Sequence, residues 1–435
     1  MQKKVLIIGG GFTGLTLALR LAQAGNFSVT LVESAAQTGG LAAGFPLLGT
    51  SLEKTYHYLF TTDSEIVRLA GELGVADKLF WPETTNAIYL NGRLHPFTTP
   101  LDVLKFSPCS FLGRLRLGFV VLYLQKRKSW RPLLRVTARE WMTKACGAGV
   151  VNAVWGPLLK GKFGRHAEKV SMAWLWARIH SRANSRRGGS EQLGYFRGGF
   201  NVVTTALENE IRRLGVTIQT RATVEKISPE ARTVTVNGAE LPFDYCVFTG
   251  PSPAFANLLP AQASLQDYAA QLRSIGYLGA TCLIFTSEQN LGDFYWVNIN
   301  EPDAPFLVFI NHTRLVGRDL YQGKNVYYLG AYLEPEGKIY SLSDDELAKL
   351  WFPYLKKMFP EFDATQVLER HTFRFKAAQH IVDTDYESKI PAYQTPLPGI
   401  FLANFSQIFP EDRGTNFSVR EGEKIAALIQ AEAAR

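Results

Sequence analysis

Hydrophobic and polar positions along the chain follow two periods, and the change from one to the other is clearest at the start. Residues 5–8 (Val-Leu-Ile-Ile) form a short unbroken apolar run, as a strand buried on both faces does. Over residues 15–24, Leu and Ala recur at helical spacing. A second strand is expected at 27–33. Further on, "NAIYLNGRLHPF" reads as two strands folded about the Asn91-Gly92 turn. Residues 198–215 read as a turn and a helix ending at Gly215, followed by strands at 216–220 and 222–227. "DYCVFTG" (244–250) is a further buried strand, and 278–332 alternates β-rich runs with turns. Within it, 293–300 and 305–316 read as paired strands, which puts His312 and Arg314 on one face and Asn311, Thr313 and Leu315 on the other. Residues 343–360 open with Ser343 and an acidic turn, the signature of a helix N-terminus. The last unit is a strand at 400–403, a loop, and a helix expected to start near Ser418. "NSRRGGSEQ" (184–192) reads as a flexible crossing.

The pattern implies an α/β chain, and 435 residues are enough for two or three domains. Apolar residues at 46% and charged residues at 20% suit a folded globular protein. The four cysteines, Cys109, Cys146, Cys246 and Cys282, are scattered without a C-x-x-C, so neither a zinc site nor a disulfide framework is expected, and no metal. That suits a reducing, cytoplasmic setting. The first strand begins at once, so a cleavable signal is not expected.

The net charge of +8 is concentrated in one stretch. Between Val103 and Arg139 there are nine Lys or Arg and no Asp or Glu. The apolar run inside it, 117–124, is eight residues, far short of the roughly 20 needed to span a bilayer. Three readings stand for 103–139: a helix on an anionic membrane surface, peripheral on the inner face; a solvated basic face over a buried helix; or a partner- or phosphate-binding surface. Nucleic acid is not expected, because no nucleic-acid motif accompanies the charge.

The turn after the first strand carries the chemistry. Gly9, Gly11 and Gly14 have the spacing G-x-G-x-x-G between a strand and a helix. The first allows a tight turn, the second lets backbone approach a pyrophosphate, and the third packs helix on strand, with the helix N-terminus facing the anion. Phe12 and Thr13 lie in the same turn. Glu33, 19 residues after Gly14, can accept hydrogen bonds from an adenosine ribose and would repel a 2'-phosphate. Ser34 follows it, and Gly39, Gly40 and Leu41 form a second close-approach segment. NAD and FAD both fit this much. No H-E-x-x-H, G-x-S-x-G or Walker loop is present, so hydrolysis and phosphoryl transfer have no support.

These segments together resemble the FAD-dependent amine oxidase and protoporphyrinogen oxidase-like superfamily over nearly the whole chain. The resemblance rests on the N-terminal glycine motif, Glu33, Gly39–Gly40, "TRATVEKI", "DYCVFTG" and "PGIFLAN". It implies non-covalent FAD, with the backbone of Val224 against the adenine. It also implies a discontinuous Rossmann-like FAD domain from 1–80, 190–255 and 385–435, with 81–189 and 256–384 forming a mixed substrate domain. The family usually ends its last strand in Gly-Asp, where this chain has Asn404 and Phe405. The loop that follows supplies Asp412, Arg413, Gly414, Thr415, Asn416 and Ser418 as candidates for the ribityl, pyrophosphate and flavin contacts, or an exposed loop with an Asp412–Arg413 ion pair. "EKTYHYLFTTD" is locally similar to UDP-galactopyranose mutase and nominates His57 beside the flavin, the alternative being a half-buried member of an aromatic cluster.

The implied reaction is hydride transfer from a substrate carbon to flavin N5. A redox-neutral reaction of the mutase type and a non-catalytic flavin-binding subunit of an assembly complex are the alternatives. Trp174 with Arg178, and His312 with Arg314, are candidates for holding substrate, although for the last two a structural role, such as capping a sheet edge, is the favoured reading. Aromatic richness and the basic stretch together suggest a small-molecule or lipid-linked substrate that is large, apolar and carries an anionic group. The oligomeric state is not legible in the sequence.

Overall fold

The computed structural model describes residues 2–186 and 190–435. Two sheets organise it. The first has five parallel strands in the spatial order Ile400–Leu402, Tyr245–Phe248, Lys3–Ile8, Phe27–Val32 and Thr217–Gln219. Its central strand carries Val5, Leu6, Ile7 and Ile8, all buried, because layers cover both faces. Three separated stretches of chain thus build one sheet.

The second sheet has seven strands. Their order is Val367–His380, Tyr277–Ser287, Asn325–Leu333, Val308–Asn311, Trp296–Ile299, Asn86–Leu90 and Arg93–Pro96. Pairing is antiparallel except between Trp296–Ile299 and Asn86–Leu90. The Asn91-Gly92 hairpin forms with both residues at positive φ (53° and 70°), as its short turn demands.

Around the sheets lie helices α1 (Phe12–Ala24), α2 (Ser64–Glu72), α3 (Pro100–Lys105), α4 (Phe111–Lys126), α5 (Gly156–Phe163), α6 (Met172–Asn184), α7 (Asn201–Arg213), α8 (Asp344–Met358) and α9 (Thr415–Ala433). Ser343 and Glu346 close a capping box on α8, whose Trp351, Phe352 and Leu355 pack on Phe285, Phe309 and Tyr327 of the second sheet. α1 is buried between the first sheet and α9. The crossing is tight, because a Cβ on Gly422 of α9 would lie 2.7 Å from the Thr13 carbonyl oxygen.

Two expectations need correcting. The strand foreseen over 305–316 stops at Asn311, and a helical turn, Thr313–Val316, follows. The amide of Leu315 bonds to the His312 carbonyl, so alternation is lost and His312 and Arg314 do not share a sheet face. The last helix begins at Thr415, three residues before the expected Ser418. The foreseen crossing at 184–192 falls partly on 187–189, outside the described residues.

Candidate active site

The first loop is built to receive a phosphate group. Gly9 holds φ at 114°, and a Cβ on Gly14 would sit 2.0 Å from the Gly9 carbonyl oxygen, so both positions exclude side chains. No side chain among the described residues caps α1, whose N-cap is Gly11, so its first-turn amides are available to an anion. The second glycine pair docks on the first. The Gly39 amide donates to the Gly10 carbonyl at 2.8 Å, and a Cβ on Gly40 would lie 3.2 Å from Gly11 Cα. Any side chain at Gly40 would therefore fill the cradle.

Glu33 stands at the far lip. It accepts from the Gly10 amide (2.7 Å) and the Ala35 amide (2.8 Å), and Ser34 donates to it at 3.3 Å. Of the carboxylate's four lone-pair sites, these three donors leave one for a ribose hydroxyl. The chain at 221–222 runs alongside, its amides bonding to Ala35 and Glu33 carbonyls, and this brings Val224 to the same end. The cradle, the acidic lip and the bare helix end fit the adenosine-diphosphate half of FAD.

Beyond Leu41 a cavity of about 470 Å³ opens between the seven-stranded sheet, α5, α6 and the segments 55–65 and 410–417. Its walls include Thr55, Tyr56, His57, Cys282, Tyr332 and residues 410–417. The α9 N-terminus at Gly414 points no capping side chain at it, again leaving amides for an electronegative edge. Cys282 lines this cavity, but burial pushes its thiol to about 12 and keeps it protonated, in keeping with non-covalent flavin.

One wall is a buried ionic cluster. Asp412 accepts from Lys162 (2.6 Å), Arg178 (2.8 Å) and Trp174 Nε1 (3.3 Å). Burial alone would raise its carboxyl, but Lys162, Arg178 and Arg413 hold it far below the ordinary value. Arg413 instead donates to Tyr332 Oη at 2.8 Å and to the Ala378 carbonyl. Burial raises the Tyr332 phenol, and the Arg413 and Lys162 charges outweigh that, so it titrates below its usual value. Burial also lowers the Lys162 ammonium, with Asp412 opposing. Within this cluster three cations face one carboxylate, so its wall is cationic, while Asp63, Glu65 and Glu411 line other parts of the cavity.

The structure sorts the sequence candidates. Gly414 and Thr415 line the cavity, and Ser418 turns inward to donate to the Gly414 carbonyl. The alternative of an exposed loop with an Asp412–Arg413 pair gives way to a buried Asp412 held by Lys162 and Arg178. The Asn416 side chain is committed elsewhere: its Oδ1 accepts from the Glu65 (2.9 Å) and Ile66 (3.0 Å) amides and so caps α2. His57 lines the cavity with Nδ1 donating to the Thr55 carbonyl at 2.7 Å, which leaves Nε2 as an acceptor. Burial, with Arg413 adding, lowers it to about 4, so the imidazole is neutral near pH 7. His312 and Arg314 lie away from the cavity. His312 is buried against Tyr195, Tyr321 and Tyr328, and Arg314 pairs with Asp293 at the surface. They are corrected as substrate contacts because neither lines the cavity, and their structural alternative fits instead. Lys162 and Tyr332 were missed, for neither has a local motif.

With this geometry in hand, comparison with known proteins is informative. The family described as "Flavin containing amine oxidoreductase" matches residues 12–406. A 15-cis-phytoene desaturase from an Oncidium hybrid cultivar is 23% identical over 429 residues, covering 92% of this chain and 73% of the relative. Among solved structures, a putative protoporphyrinogen oxidase from Exiguobacterium superposes with a TM-score of 0.77 at 16% identity, covering 99% of both chains. A reduced UDP-galactopyranose mutase gives 0.79 at 15% identity, covering 100% of this chain and 95% of its own.

Proposed function

The chain belongs to the flavin containing amine oxidoreductase family, and from that premise we propose that it removes a hydride from a carbon of a large apolar or lipid-linked substrate. It is an FAD-dependent oxidoreductase. FAD, when bound, supplies the hydride acceptor. The residues around the cavity do the rest. Tyr56 and Trp296, edge-to-face at 5.0 Å, with Tyr58 and Phe60 beside them, form an apolar wall that excludes water. Neutral His57 offers Nε2 as a hydrogen-bond acceptor, and Lys162, Arg178 and Arg413 attract an anionic substrate group.

The observation that carries the reading is this cavity, lined by Leu41 next to the glycine cradle and by the cationic wall of Lys162, Arg178 and Arg413. Anaerobic titration of purified protein tests it. Bleaching of the oxidised flavin band by a substrate supports it. Turnover with an unchanged band, only after prior reduction, would instead indicate redox-neutral chemistry.

We also propose that 103–139 docks on an anionic membrane surface. No helix among the described residues is long and apolar enough to cross a membrane. Yet seven of the ten large apolar side chains exposed among the described residues lie between Leu101 and Tyr123. Of the nine basic residues nearby, only Arg131 and Arg139 are paired with a carboxylate among the described residues. Apolar anchors with free cations suit an interface of anionic lipid.

A further inference from the structure

A second chamber, of about 750 Å³, lies between α3, α4, α6 and the edge of the seven-stranded sheet. It meets the flavin-facing cavity where Leu158, Arg178 and Asn298 line both. Its two ends differ in chemistry. The outer walls are apolar: Val103, Leu104, Leu115, Phe119, Val121 and Leu122. Leu104, Phe119 and Leu122 also belong to the exposed apolar face, so the mouth opens there.

The inner end is polar and cationic. Arg178, Arg182 and Arg186 are spaced four apart on and just beyond α6, so they share a face, and all three line the chamber. Arg182 pairs with buried Glu191 at 2.7 Å, and Arg186 donates to the Thr98 carbonyl. Glu191 pairs with Arg182 alone, and Arg186 makes no ion pair among the described residues, although the Asp102 and Glu191 charges both act on it. Asn86 and Asn300 are 2% and 3% exposed, and each spends its amide nitrogen on the protein, on Glu191 and the Ala153 carbonyl. Their side-chain oxygens have no hydrogen-bond partner among the described residues, and neither does Trp155 Nε1 beside them. These atoms have almost no accessible surface, so they lie beneath the chamber wall and give its inner end a polar lining without offering a contact of their own.

We propose that this chamber binds a long-chain amphiphile with an oxyanion head. The head sits on Arg178, Arg182 and Arg186. The tail runs between α3 and α4 toward the exposed face. This deepens the functional reading, on which it rests for what the bound carbon meets at Arg178; binding itself needs no turnover.

Calorimetry on the purified flavoprotein tests it with dodecyl phosphate, dodecanol and inorganic phosphate. Two variants accompany wild type. Arg186→Gln weakens the head site. Gly118→Phe fills the tail path, and a Cβ there meets nothing within 4 Å, so α4 can accept it. Dodecyl phosphate should bind at least about 10-fold more tightly than either control, since each lacks one half of the ligand. R186Q should weaken it about 10-fold while leaving dodecanol unchanged, and G118F should weaken both alkyl ligands by a similar factor. Equal binding of inorganic phosphate or of dodecanol, or dodecyl phosphate binding that neither variant alters, would overturn the proposal. Visible absorbance of the same samples reports flavin separately. A colourless protein that still binds the alkyl phosphate sinks the flavin reading alone, and a yellow one indifferent to the alkyl phosphate sinks this proposal alone.

Discussion

Replacing Phe111, Leu112 and Phe119 of α4 by serine should release the protein from anionic vesicles. These side chains are 64%, 58% and 71% exposed, so roughly two-thirds of each remains to be taken out of water. Burying a whole Leu or Phe side chain is worth ~1.5–3 kcal/mol, which makes ~1–2 kcal/mol for each of these if it enters lipid completely. Taking half of that for an interface that covers one side gives ~1.5–3 kcal/mol for the three, or about a 10- to 100-fold fall in partitioning. Charge adds a separable part. Lys126, Arg127 and Lys128 changed to Gln should cost about 1 kcal/mol each near an anionic surface, and that loss should fade at about 0.5 M salt. The assay is co-sedimentation with phosphatidylserine-containing vesicles, with phosphatidylcholine vesicles as control. Equal sedimentation of the serine variant and wild type, or no binding by wild type at either salt, would refute the reasoning.

Gly40→Val should yield a well-folded but colourless protein, because φ is +57° there and the new side chain meets Gly11; the visible flavin absorbance reads this. Asn416→Ala removes the cap on α2 and should cost about 1–2 kcal/mol, read as a lower urea midpoint. Asp412→Asn leaves three buried or half-buried cations with no carboxylate and should cost ~3–5 kcal/mol by the same measurement. Burial raises the Glu53 carboxyl from 4.5 to about 7 against the bonds from Tyr195 and the Phe200 amide. The stability it contributes is therefore full below pH 4.5 and is lost as pH rises through 7. Relative to wild type, Glu53→Gln should gain stability between pH 5 and pH 8, by up to about 3 kcal/mol in urea melts; a difference that shrinks with rising pH would contradict the assignment.

The parts legible in the sequence are those written locally. The glycine turn, Glu33, the Asn91-Gly92 hairpin and the capping box at Ser343 each fix a conformation within a few residues, and each is found where expected. The ionic wall is a different kind of object. Asp412 meets Lys162 across 250 residues and Arg178 across 234, so no window of sequence contains the cluster. Asn416 illustrates the same limit: its residue type suits a cap, but the helix it caps begins at Ser64. His312 reads as a strand residue because an apolar run like "LVFI" says where a strand starts but not where it stops, and here a helical turn follows Asn311. The spacing of four in Arg178, Arg182 and Arg186 was visible, but it reads as a solvated helix face until a second layer covers it.

The tight crossing at Gly422 bears on how the molecule is made. Strand Ile400–Leu402 completes the five-stranded sheet and α9 covers α1, so the glycine cradle, made well before them, lacks its lid until α9 has left the ribosome. Over that interval the apolar face of α1 is open to chaperones and to other nascent chains. Flavin capture is thereby postponed to a late step of biogenesis, and a chain interrupted before Gly414 would emerge without the pigment and with an adhesive surface.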